Sequence, residues 1–336
     1  MRPSLRRRRR DRQSASALAP AHSDPMPPLT QPDTFSGRHN IHARGREKLK
    51  AHLAVLLFSL LVSGSFSFGG IATRLIDPIA LQALRYALTV ALIGLLCLKL
   101  GASLALPKEP WRFGVLGLLM AVYMTTMFVA LQFTKPVATG AIFTLMPLLC
   151  AVFAWFLMRQ HTRPGVLVSL LIAATGAVWV IFRGDVNALI AFDIGRGEMI
   201  YFVGVLCHAA YVPLLRLFNR KEAPLAFVFW AAVATFGFIL VPAAPRLVAV
   251  DFLALPAIVW IAVLYLSVIA TAVTFFLLQY ASMRLPAPKV LAYGYLTQTF
   301  IILIEGLIGH GWASAPVFLG ALVTACGLLV MALLPD

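Results

Sequence analysis

The chain has 336 residues, 60% hydrophobic and only 12% charged, with a mean hydropathy of +0.87 and a formal net charge of +15. A water-soluble domain carries about 25% charged residues, so this composition excludes an ordinary globule in water. Residues 1–50 hold 12 of the 28 Lys/Arg and 4 of the 13 Asp/Glu, and the remaining excess of base falls between long apolar runs. That distribution orients membrane proteins and argues against nucleic acid as a partner.

Taken in chain order, residues 1–50 lack hydrophobic periodicity and contain the run Arg6–Arg10, which predicts a disordered basic N-terminal extension. Translation from Met26 instead of Met1 would remove that run. The first apolar run continues past the length of a signal-peptide core and reads as a retained helix. Ten spans follow, near 53–73, 79–99, 113–133, 137–157, 166–182, 198–218, 224–243, 257–280, 289–309 and 316–334. The fold class expected is therefore all-α integral membrane. Cys97, Cys150, Cys207 and Cys326 all lie inside apolar runs with no paired spacing, which supports neither a metal site nor a disulfide framework.

Counting Lys/Arg over the loops with the tail gives 22 on one side and 5 on the other, which predicts both termini in the cytoplasm. The halves also resemble each other. At an offset of 151, Ser169-x6-Gly176 falls on Gly320-x6-Gly327, and Ala174 falls on Ala325. Pro78-Ile-Ala-Leu parallels Pro224-Leu-Ala-Phe at an offset of 146. Five spans is an odd number, so the second repeat (196–334) sits inverted relative to the first (51–183), an architecture of secondary transporters.

The residues that carry this pattern resemble the drug/metabolite transporter superfamily with tandem EamA-type domains. They are Ser65–Arg85 with Pro78 and Leu84-Arg85, Ala130–Thr134 followed by Pro147, and Tyr280–Ala287 through Tyr295-Leu296. The chain departs from the family pattern at Arg159-Gln160, at His310-Gly311 and at Gln298, where a proline is usual. The resemblance implies a cavity lined by the first, third, fourth, sixth, eighth and ninth spans, and passage of a small metabolite.

Polar residues inside spans are the site candidates, because an ionised side chain in hydrocarbon is costly unless it meets a partner or a cavity. Arg85 either bonds a carbonyl or snorkels outward, or it contacts an anion or carboxylate. Glu305 is either a solvated interfacial carboxylate, or a proton-coupling site and partner for Arg85. His208 is either a packing residue or part of a midplane site with Gln298 and Tyr123. Ser65, in the run Ser63–Ser67 beside Gly64, Gly69 and Gly70, marks either close helix packing or a hinge. Tyr295 completes the substrate-binding set.

No Gly-x-Ser-x-Gly, His-Glu-x-x-His or Walker loop is present, so neither an enzyme nor a cofactor is expected. The function expected is a secondary transporter of a small amphipathic metabolite, amino-acid-like or drug-like, with export favoured. It would act by alternating access in a bacterial-type inner membrane, and a homodimer is compatible with the sequence. The alternative is a non-transporting membrane receptor or scaffold.

Overall fold

The computed structural model describes residues 45–159, 161–220, 222–282, 284–285, 290 and 292–333. The extension through residue 44, with Met26 and the arginine run, lies outside the described residues, as do Gln160, Lys221 and Lys289. The described chain is helical and, among those residues, has no strand.

The first half contains α1 (Arg46–Ala72), α2 (Pro78–Lys99), α3 (Pro110–Ala130), α4 (Pro136–Thr144), α5 (Met146–Met158) and α6 (Pro164–Ile181). After a short α7 (Val186–Ile190) come α8 (Arg196–Phe218), α9 (Pro224–Val248), α10 (Ala257–Leu264), a π-helical segment (Tyr265–Val273) and α11 (Thr274–Ser282). A 3-10 turn (Tyr293–Tyr295), α12 (Leu296–Leu307) and α13 (Ala315–Leu333) complete it. Among the described residues eight helical stretches are long and apolar enough to cross a membrane, and 315–331 is a shorter apolar helix. The twelve residues of α12 fall short of a span by themselves.

Proline sets five of the helix starts. Pro78, Pro110, Pro136, Pro164 and Pro224 each occupy the first helical position, where a missing N–H costs nothing and φ is already helical. The Asp77 carboxylate caps α2, accepting from the backbone N–H of Ile79 at 2.9 Å and Ala80 at 3.1 Å. Pro147 cannot donate to the carbonyl of Phe143, and the fourth span breaks there into α4 and α5.

The helix pairings of the two halves correspond. α3 packs on α8 as the π segment and α11 pack on α1, and α5 packs on α8 as α12 packs on α1. Three pairs are their own counterparts: α2 with α9, α4 with α12, and α6 with α13. The last shows the symmetry atom by atom. Ser169 Oγ donates to the Gly327 carbonyl at 2.8 Å, and at the other end a Cβ on Gly176 would lie 2.5 Å from the Gly320 carbonyl oxygen. Between them Thr324 Oγ1 donates to the Ala173 carbonyl at 3.3 Å, and these two residues are also 151 apart. One register falls as the other rises, so the helices run antiparallel. Small residues allow this approach, which larger ones would block.

The small residues of α1 pack closely. A Cβ on Gly64 would meet the Tyr265 hydroxyl at 2.1 Å, and one on Gly69 would meet the Phe128 ring at 2.6 Å. α1 remains an unbroken helix through both. This stretch is closely packed in the structure.

Candidate functional site

α3 and α8 approach closely because Gly204 has no side chain: a Cβ there would sit 3.2 Å from the Tyr123 carbonyl oxygen and 2.0 Å from Thr126 Oγ1. The closeness lays the His208 ring over that of Tyr123, with centroids 4.1 Å apart and planes inclined by 24°. Tyr201 lies two turns before His208 on the same helix face. It stacks on Tyr123 from 6.0 Å and donates a long hydroxyl hydrogen bond to it at 3.5 Å. Tyr211 follows one turn after His208, at 5.9 Å between ring centroids. His208 and Tyr211 are partly buried and keep part of their surface accessible. His208 Nδ1 is buried with no hydrogen-bond partner.

Arg85 of α2 stands beside this aromatic group and is 5% exposed. Its Nη2 donates to Thr271 Oγ1 at 3.2 Å and its Nη1 to Met124 Sδ at 3.4 Å, while Nε has no partner. The guanidinium carbon lies 5.7 Å from the Tyr86 ring centroid and 5.8 Å from that of Phe128. Gln82, one turn earlier, donates to the Met124 carbonyl at 3.1 Å, and its own amide oxygen is unpartnered. Met124, which Arg85 and Gln82 both touch, is the neighbour in sequence of Tyr123, whose ring lies under His208. Arg85, Tyr123 and His208 thus belong to one neighbourhood.

The π segment packs against Arg85. Thr271 Oγ1 donates to the carbonyl of Leu266, five residues back, at 2.8 Å. Ser267 Oγ donates to the Arg85 carbonyl at 3.0 Å, and the Tyr265 hydroxyl donates to the Leu61 carbonyl of α1 at 2.8 Å. A π turn inside an α-helix frequently marks a functional position.

The other expected residues lie elsewhere. Gln298 is fully buried where α12 crosses α4 at Gly140, and neither of its amide atoms has a partner. It shares no hydrogen bond with Tyr123 or His208. Tyr295 packs among Leu170, Ala173 and Met331 of α6 and α13, its hydroxyl unpartnered. Ser65 is buried on α1 next to Phe66, whose ring meets those of Tyr201 at 6.2 Å and Phe143 at 5.8 Å. Glu305 is not the partner of Arg85. Its Oε2 lies 2.9 Å from His310 Nδ1, and its other oxygen is buried without a partner.

Sequence reasoning missed Gln82, Tyr86, Tyr201, Tyr211 and Thr271. The spacing of Tyr201, His208 and Tyr211 on one helical face was a usable signal for two of them. It also missed an ionic cluster at the α8–α9 connection. Arg112, 2% exposed, pairs with Glu109 at 2.8 Å and Glu222 at 2.7 Å and donates to the Phe218 carbonyl. Beside it a cavity of about 200 Å³ is lined by Ser103, Phe113, Glu222, Phe227 and Trp230. Burial pushes the Glu222 carboxyl up, but hydrogen bonds from Arg112 and the Arg220 backbone outweigh this and hold it below the usual carboxylate range. The Asp77–Arg246 pair, 3.4 Å apart and more exposed, makes a corresponding tie beyond the α1–α2 connection. Among the described residues no three His, Cys, Asp or Glu side chains converge to hold a metal ion.

The chain matches the EamA-like transporter family over residues 49–182 and 195–333. It is 27% identical over 188 residues to the uncharacterized transporter YyaM of Bacillus subtilis (strain 168), covering 55% of this chain and 62% of that protein. The match therefore spans less than two thirds of that relative's length. A solved crystal structure is similar with a TM-score of 0.59 at 21% identity, over 86% of this chain and 96% of that one, which speaks to the fold alone.

Proposed function

Since the chain belongs to the EamA-like transporter family, we propose that it is a secondary transporter exporting a small amphipathic metabolite by alternating access. On this reading ten spans cross the cell's inner membrane as two inverted sets of five, with both termini cytoplasmic. The protein does no chemistry on its cargo and uses no cofactor. Accumulation draws on an ion gradient or on exchange, for which Glu305 is the proton-coupling candidate.

The observation that carries the proposal is the group Arg85, Tyr123 and His208. It sits where α2 and α3 of one half meet α8 and the π segment of the other. Substrate sites of inverted-repeat transporters lie at such an interface. The two ionic ties support the same reading, because each joins one half to the other near an end of the helices. Arg112 reaches Glu222 from α3, and Asp77 reaches Arg246 of α9. Rocking of the halves would strain one tie as it relieves the other.

The test is counterflow in proteoliposomes across a panel of small metabolites. Saturable uptake that falls on substitution of His208 supports the proposal. Flux that never saturates, or binding with no flux at all, refutes it and favours a receptor or scaffold.

A further inference from the structure

Arg85 is a cation buried among apolar and aromatic groups without an anion. Among the described residues it forms no ion pair; its acceptors are one hydroxyl and one thioether sulfur, and Nε meets nothing. A thioether is a weak acceptor. Glu305, the carboxylate of similar depth, is taken by His310. An ionised side chain in this setting ordinarily faces a partner or a pathway, since leaving it alone is costly. The ring faces of Tyr86 and Phe128 soften that cost without cancelling the charge.

We propose that Arg85 is the anion-recognising residue of the substrate site, and that the cargo is a small organic monocarboxylate with an apolar or aromatic body. The inference rests on the transport reading for the word cargo and on the geometry for the word carboxylate. Nε is unpartnered, Nη1 meets only a thioether and Nη2 holds a single hydroxyl, so the guanidinium keeps N–H donors for a charge-assisted bond to a carboxylate. One cation balances one negative charge, and no second Lys or Arg joins the cluster among the described residues, which disfavours phosphate dianions. His208, backed by the Tyr123 ring, and Tyr211 keep part of their surface accessible and supply flat faces for the rest of the molecule. No carboxylate of the described residues stands in the cluster to meet an ammonium group. The amino-acid-like cargo expected from sequence is therefore narrowed to acids without the amine.

The experiment uses purified full-length protein in nanodiscs of zwitterionic lipid and four matched probes: 3-phenylpropionate, 3-phenylpropanol, phenethylamine and phenylalanine. Thermal stabilisation and saturation-transfer NMR report binding. The expected result is stabilisation by 3-phenylpropionate above the other three, weakened about 10- to 100-fold in Arg85→Gln and partly kept in Arg85→Lys. Met124→Glu places a carboxylate beside the guanidinium. It should raise the melting temperature without probe and abolish stabilisation by 3-phenylpropionate, and it carries the test if Arg85→Gln does not fold. The proposal is overturned if the alcohol or amine stabilises as well as the acid, if chloride alone reproduces the effect, or if no carboxylate binding is seen. It is equally overturned if the acid binds Met124→Glu as it binds the wild type. Counterflow with the same probes separates the two readings. Carboxylate binding at Arg85 with no flux sinks transport and leaves the anion site, whereas saturable flux of a neutral probe that survives Met124→Glu sinks the anion site and leaves transport.

Discussion

Arg112 and Glu222 form a 2.7 Å ion pair that fastens the start of α3 to the connection between α8 and α9, with the arginine almost wholly removed from solvent. Arg112→Gln deletes both ion pairs and the bond to the Phe218 carbonyl and under-fills a buried side-chain site, so it should cost about 2–4 kcal/mol of stability. Glu222→Gln should cost less, about 1–2 kcal/mol, because the amide still accepts a hydrogen bond and Glu109 remains beside the guanidinium. Melting temperatures of the two variants in one detergent check the order. Equal losses would contradict the assignment of Arg112 as the centre of the cluster.

The same pair predicts a pH response. The Glu222 carboxyl is held below its ordinary range in the folded protein. Its contribution is therefore complete above the unfolded carboxylate value and is lost as pH falls through the lower folded value. Wild type should lose melting temperature on acidification across that window more steeply than Glu222→Gln. Parallel curves would show that this carboxylate contributes nothing to the acid limb.

At the α6–α13 crossing, Gly176→Ala places a Cβ 2.5 Å from the Gly320 carbonyl oxygen, and Gly320→Ala places one 3.0 Å from the Gly176 carbonyl oxygen. Backbone cannot step aside as a side chain can, so each should destabilise by about 1–3 kcal/mol. Separating the helices relieves both clashes at once. The double variant should then cost less than the two single losses added together. A thermal double-mutant cycle measures this, and strict additivity would mean that the contact is not shared.

His208→Ala removes the ring stacked on Tyr123, an interaction worth about 0.5–1.5 kcal/mol. The fold should survive this, while saturable counterflow falls about tenfold. Tyr123→Phe keeps the ring and removes only the 3.5 Å hydroxyl contact, so it should leave the melting temperature nearly unchanged. Flux unaltered by His208→Ala would remove the ring from the site.

Much of the fold was legible because its punctuation is local. Proline at Pro78, Pro110, Pro136, Pro164 and Pro224 marks helix starts through its own covalent geometry, which needs no neighbour. The offset between Ser169 and Gly320 could likewise be read, but not that the two stretches lie on each other, since that contact joins residues 158 apart in Ser169 and Gly327. The π segment was invisible for a similar reason. Tyr265–Val273 has ordinary helix-forming apolar residues, and the ties of Ser267 to Arg85 and Tyr265 to Leu61 are tertiary. Depth alone paired Arg85 with Glu305, yet depth says nothing about helix face. The turn after α12, with Gly309 at φ 85° and Gly311 at φ 96°, brings His310 back onto Glu305 instead.

The antiparallel seam of Ser169, Ala173 and Gly176 against Gly320, Thr324 and Gly327 is self-complementary, in the sense that two copies of one five-helix unit could make it. Joining two such units in one chain leaves that seam free to stay alike while the rest diverges. The difference is visible: the first half carries the buried arginine, and the second carries the π turn that receives it. The two halves thus serve as holder and receiver, a division of labour that two copies of either half alone could not adopt.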